Sequence, residues 1–240
     1  MAFRKLTTVS KILCVIALAC LPIVSSAQRA SELSADFPDA RTMAVQKKVE
    51  KLFDDGDYER AFFIYRNELS PIGDKYAQYM VGFMYQFGIG VDEDPIASAA
   101  WYQLAAERGT REFVVVRDRF MHVMDEKDAA ESVAVFKQLR LKYSDVAVLL
   151  ASIKRNVREL QSRTGSRIGA QSSPVVVIQT GSSSYSAGSD YYGAIRDELE
   201  ARVILLKEVG DFQDIETDAN RINIHELERR VLAHIETNVD

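Results

Sequence analysis

The chain has 240 residues, with 30 Lys plus Arg against 35 Asp plus Glu and a formal net charge of −5 at pH 7. An acidic balance of this kind excludes the classes that need a broadly basic surface, nucleic-acid and anionic-lipid binders. Its two cysteines, Cys14 and Cys20, both lie near the start, so the rest has no thiol, disulfide or cysteine metal site and must be held by core burial, for which a hydrophobic content of 47% is ample.

Residues 1–27 read as a secretory signal. Arg4, Lys5 and Lys11 form a basic start, Ile12 to Val24 an apolar run broken only by Pro22, and Ser25-Ser26-Ala27 supplies the small residues a signal peptidase needs. The run is short for a membrane span. Cleavage after Ala27 takes the net charge from −5 to −8, because the three charged residues it removes are all basic. The alternatives are an uncleaved anchor and lipidation at Cys20, whose preceding Ala17-Leu18-Ala19 is a poor lipoprotein box. The expected location is therefore outside the cytoplasm, the periplasm or cell envelope in a bacterium, with no membrane span left after cleavage.

Residues 28–40 are small and polar and read as a mobile lead-in. From 41 to 163 the pattern is helical. Val45, Val49, Leu52 and Phe53 stripe a first helix, Asp54-Asp55-Gly56-Asp57 breaks it, and Tyr58 to Leu69 forms the next. Ser70-Pro71-Ile72-Gly73-Asp74 is a turn. Helices are predicted over 75–87, 95–108, 110–124, 128–142 and 145–162. Asp128 with Glu131 is a capping box, and Val146, Leu149, Leu150, Ile153, Val157 and Leu160 form one stripe on the last of these helices.

The composition then changes. Residues 164–189 read as a Gly/Ser-rich linker with one strand, Val175 to Ile178, and no evident partner strand. Residues 190–240 read as a C-terminal helical region with helices over 190–208 and from Asn223-Ile224-His225-Glu226, a second capping box, to Thr237. An unpaired strand of β-branched residues is an aggregation hazard, so it is expected to pack on the helical repeats or on a second copy, with a short hairpin as the lesser alternative.

The helices hide a repeat. Asp57, Asp94 and Asp128 follow turns, 37 and 34 residues apart. Four places beyond each stands a small residue, Ala61, Ser98 or Ser132, and eight places beyond an aromatic, Tyr65, Tyr102 or Phe136. Periods in the mid-thirties with helix–turn–helix units mean a solenoid.

The middle unit carries Ala77, Tyr79, Val81, Gly82, Tyr85, Gly88, Gly90, Asp94, Trp101, Tyr102, Ala105, Ala106 and Gly109 at fixed spacing. It closely resembles the Sel1-like repeat (SLR), a relative of the tetratricopeptide repeat. Val81 departs from the usual Leu and Ser98 from the usual Ala. The flanking units, 41–73 and 110–143, resemble generic tetratricopeptide repeats in outline, and nothing from 164 on carries a resemblance. The expected fold class is mainly α, a short α-solenoid of SLR/tetratricopeptide-like helix pairs, then the linker and a C-terminal pair of helices. Gly82 is expected at a close helix crossing, Gly88 and Gly90 at a chain reversal, and Asp94 at an N-cap.

The resemblance implies a concave groove lined by Tyr76, Tyr79, Phe83, Gln86 and Phe87, the binding surface for a protein or peptide, unless the C-terminal region or helix 145–162 covers it. It implies a non-catalytic adaptor or regulator without cofactor. Two other classes stay open, a small envelope enzyme or ligand-binding module with its site in 175–240, and a self-associating structural component.

Rival chemistry is thin. The glycines of Gly82–Gly90 follow a helix rather than a strand, no Lys lies among them, and Asp92-Glu93-Asp94 would repel a phosphate. Val175 to Ser184 offers a strand and a Gly-Ser turn but no Lys. His122, His225 and His234 form no metal-binding pair and read as surface residues. Ser182, Ser183 and Ser184 have no base beside them in the pattern.

Overall fold

In a computed structural model of the chain, residues 40–162, 176–178, 185–209 and 212–237 are described. The expected signal, the lead-in up to residue 39, most of the linker and the Ser182–Ser184 run lie outside them. Helix α1 (Ala40–Asp54) turns Val49 inward with Val45, Leu52 and Phe53 partly buried beside it, as its stripe requires. Gly56, at φ +81°, reverses the chain into α2 (Tyr58–Ile64). The chain then widens into a π-helical turn, Tyr65–Leu69, and closes with a 3-10 turn, Ser70–Ile72. Ser70 holds the wide turn from inside: its buried Oγ donates to the Tyr65 carbonyl at 2.7 Å, the carbonyl that also receives the Ser70 N–H.

Helix α3 (Lys75–Phe87) starts where Asp74 accepts the Ala77 N–H at 3.0 Å, and α4 (Pro95–Ala105) where Asp94 accepts the Ala97 N–H at 2.8 Å with Pro95 at the first helical position. A 3-10 turn, Ala106–Arg108, and Gly109 lead to α5 (Arg111–Val123). Helix α6 (Glu126–Tyr143) begins two residues before the expected capping box. Asp125, not Asp128, accepts the cap, from the Asp128 N–H at 2.8 Å, because Met124 already leaves α5 in an extended conformation. Helix α7 (Asp145–Ser162) follows after one residue.

Strand β1 (Val176–Ile178) does have a partner. It pairs antiparallel with β2 (Tyr185–Ala187), Val177 opposite Ser186, and both approach α8 (Gly188–Val209). The expectation of a lone strand that docks on the repeats is therefore corrected. Tyr-Ser-Ala was hidden in a stretch whose small residues read as linker, yet its alternation suits a short strand. Helix α9 (Ile224–Thr237) closes the chain, with Asn223 accepting the Glu226 N–H at 3.1 Å as the capping pattern predicts.

The apolar interior comes in two main parts. The first gathers Val49, Ile64, Tyr65, Leu69, Val81, Met84, Trp101, Leu104 and Tyr143 from α1–α4, the π-helical turn and α6. Helix α4 is its centre. It is buried on nearly every side because Ser98, Ala99, Ala100 and Ala105 are small enough for α3 and α6 to approach it from two directions. The second joins α7, α8, α9 and the loop before α9: Leu149, Leu150, Ile153, Val157, Leu199, Val203, Leu206, Phe212, Val231 and Ile235. The stripe on α7 thus belongs with the C-terminal helices, and the apolar boundary falls at the α6–α7 junction rather than at residue 163. The protein is mainly α, a helical-repeat stack followed by a three-helix unit, and no described helix is long and apolar enough to cross a membrane.

Candidate functional site

Helix α3 presents a ladder of rings. Tyr76, Tyr79, Phe83 and Phe87 follow one face at three- and four-residue steps, with centroid separations of 6.2, 6.4 and 4.8 Å. The face is held at a fixed distance from α4 by Gly82. A Cβ there would stand 2.9 Å from Tyr102 Cδ1 and 3.2 Å from the Ser98 carbonyl oxygen, and Ser98 Oγ donates to the Gly82 carbonyl at 2.8 Å. Ser98, the departure from the usual Ala, thereby adds a hydrogen bond to the crossing without adding bulk. Gly88 and Gly90 take φ of +61° and +69°, and Gly90 lies against the start of α2, where a Cβ would come within 2.4 Å of the Tyr58 backbone.

The five predicted groove residues are not equally available. Tyr76, Tyr79, Gln86 and Phe87 are half-buried, whereas Phe83 is buried and forms the floor. Helix α5 lies over part of the ladder: Phe113 stacks on Tyr79 at 5.5 Å, and Phe120 meets Tyr102 edge-on at 5.4 Å. Gln86 is also committed, since its Oε1 accepts the Tyr102 hydroxyl proton at 2.6 Å. The cover on this face is therefore the next helix of the stack. Neither the C-terminal region nor helix 145–162 supplies it among the described residues, because their apolar faces meet each other.

The remaining repeat positions are structural in this geometry. Ala77, Ala105 and Ala106 are buried at helix contacts, Trp101 packs on Tyr143 with centroids 5.1 Å apart, Tyr85 meets Phe62 edge-on, and Gly109 takes φ +70° at the end of the α4 unit. Burial, and after it the neighbouring Tyr79, push the Tyr102 phenol far above its ordinary range, so it acts as a fixed hydrogen-bond donor.

A second constellation was not visible in the sequence. Lys75, nearly fully buried, has its Nζ 2.8 Å from Glu107 Oε2 and 3.0 Å from Asp145 Oδ1, and donates to the Leu104 carbonyl at 3.2 Å. Arg108 grips both Asp145 oxygens, at 2.8 and 3.0 Å, and the Gly73 carbonyl at 2.9 Å. Arg140 donates to the Ile235 carbonyl at 3.0 Å, with its Nε 3.9 Å from Glu107 Oε1. Burial opposes ionisation of Asp145, but Lys75 and Arg108 outweigh it and hold its carboxyl below the usual range. Cations and carboxylates satisfy one another here, so the cluster reads as a joint between the repeat stack and the three-helix unit.

His122 and His225 are exposed, as expected, while His234 is half-buried against Phe212 at 5.3 Å, its pKa lowered by burial and by Arg140. No group of His, Cys, Asp or Glu among the described residues could hold a metal ion.

Residues 75–110 match the Sel1 repeat family, the segment that carries the ladder, Gly82 and Asp94. No curated protein and no solved structure matches the chain.

Proposed function

We propose that this chain is an exported, non-catalytic adaptor that binds a protein or peptide segment on the aromatic face of α3. The observation that carries the reading is a half-open ladder of four rings on the first helix of a Sel1 repeat. Sel1 repeats usually mediate protein binding, and clustered aromatics with exposed edges are the groups that dominate protein interfaces. Export rests on the basic, apolar and small-residue order of residues 1–27.

Two experiments test the two halves. A photo-crosslinking residue at position 87 should capture a partner in the native envelope, and the same residue at exposed Lys137 on α6 should not. Equal capture at both positions would overturn the face assignment. N-terminal sequencing of the mature chain should begin at Gln28. A chain that starts at Met1, or at a lipidated Cys20, overturns the export reading as stated.

A further inference from the structure

We propose that the outer face of α5 docks a second copy of this chain, helix against helix, antiparallel about a two-fold axis. The proposal does not depend on the peptide-binding reading above.

Helix α5 is apolar on more than one side. Phe113 and Phe120 face inward, onto Tyr79 of α3 and Tyr102 of α4. A second strip, Glu112, Val115, Val116, Arg119 and Val123, follows the steps i, i+3, i+4, i+7 and i+11 and so stands along one face. Val123 is 78% exposed and Val115 37%, Val116 is half-buried, and Glu112 and Arg119 are exposed. A helix with apolar residues round more than one side is ordinarily covered on each of them.

The fold explains why this face is open. In a helical stack each unit is covered by the next, as α3 is covered in part by α5. The helix that follows the α5–α6 pair is α7, and its apolar stripe is used against α8 and α9. Helix α5 therefore ends its row with a face suited to a neighbour, and its own chain leaves that face exposed among the described residues.

The charges select the occupant. Glu112 and Arg119 stand seven residues apart, about 10 Å along the helix, with Val115 and Val116 between them. Neither has an ion-pair or hydrogen-bond partner among the described residues, whereas Arg117 and Asp118 on the same helix pair with each other at 2.8 Å. A two-fold axis through the midpoint of Val115 and Val116 sets each Glu112 opposite Arg119 of the second copy, and each Val115 opposite Val116. Both ends of the strip are then matched by one closed contact. Val123 reaches past Glu112 of the second copy toward its Gly109 turn, where an added Cβ would meet nothing within 4 Å. A uniformly acidic or uniformly basic surface would instead meet a like charge at one end of the strip.

The contact is small. One face of a 13-residue helix buries well under the roughly 1,600 Å² of a standard interface. The dimer should therefore be half formed near about 50 μM and absent at about 1 μM.

The test is sedimentation velocity of the chain, purified from its own cells, at about 1 to about 300 μM. The parent should pass from monomer to dimer over this range. Glu112→Arg makes both ends of the strip basic and Arg119→Glu makes both acidic, so each should raise the dissociation constant at least about tenfold. An equimolar mixture of these two variants should recover the parent's dimerisation, because every acid again faces a base. Val115→Lys, at the centre of the strip, should weaken the dimer by a similar factor. All three positions are exposed, and circular dichroism should show the parent's helicity in each variant. A parent that stays monomeric throughout overturns the proposal. So does a dimer indifferent to the three substitutions, or a mixture that associates no better than its separate components.

Discussion

A Cβ built on Gly90 would meet the Tyr58 carbonyl carbon and oxygen at 2.4 Å, and one built on Gly109 would meet nothing within 4 Å, although both residues have φ near +70°. The pair separates backbone strain from steric contact. Gly109→Ala should cost about 1–2 kcal/mol, the price of a left-handed L residue alone. Gly90→Ala should cost more, because the atoms it meets are backbone and only a shift of α2 relieves the contact. Gly82→Ala falls under a third case, ordinary helical angles with a clash against the Tyr102 ring, and about 1–3 kcal/mol is expected from overpacking. Urea denaturation of the three variants checks the order, and equal midpoints for Gly90→Ala and Gly109→Ala would show that α2 yields freely. Gly82, Gly88, Gly90 and Asp94 were legible in the sequence because each answers a local demand, a crossing, a reversal or a cap, that fixes the residue type. The α6 cap was misplaced by three residues because Asp125 and Asp128 both satisfy the local rule, and only the end of α5 decides between them.

Between elements, the joint formed by Lys75, Glu107, Arg108, Arg140 and Asp145 shows what local rules miss. Each of these residues stands at or near a helix end, where charge ordinarily faces water. Their burial follows from four segments that converge, and no spacing in the sequence encodes that. Removal of one partner from such a cluster leaves uncompensated buried charge. Asp145→Asn should therefore cost about 3–5 kcal/mol at pH 7, since among the described residues Lys75 would keep only Glu107 and Arg108 would lose its carboxylate partner. The pH dependence has a definite sign. The Asp145 pKa is lower in the folded protein than in the unfolded chain, so its contribution is fully present above the unfolded value near 3.8 and is lost as pH falls through the folded value. His234, with a folded pKa below 6.5, acts in the same direction at higher pH, because the unfolded chain takes up its proton first. Stability measured from pH 7 to pH 2 should decline in the parent, and the part of the decline below pH 4 should be shallower in Asp145→Asn. An unchanged acid limb would mean that Asp145 does not gain from its two cations.

Across the whole molecule, the apolar stripe on α7 was plain in the sequence, but the surface it covers was not. Periodicity reports that a face is buried and says nothing of the partner, and the continuous helical pattern up to residue 163 favoured the repeats. The fold places Val146, Leu149, Leu150, Ile153 and Val157 against Leu199, Val203, Leu206, Leu227, Val231 and Ile235. A chain that ends at Ser162 should therefore behave differently from a repeat domain with a natural boundary. It would expose five large aliphatic side chains of α7, each worth about 1.5–3 kcal/mol when buried, as one contiguous strip. It would also deprive Arg140 of the Ile235 carbonyl. We expect this truncated chain to bind a hydrophobic dye strongly, to self-associate, and to melt below the full chain. The same truncation carrying Leu150→Glu and Val157→Lys should return to low dye binding and a monomer while α1–α6 keep their helicity, because the strip is then polar and the repeat interior is untouched. If the unmodified truncation is instead dye-silent, monomeric and as stable as the full chain, α7 packs on the repeats in solution, and the boundary at the α6–α7 junction is wrong.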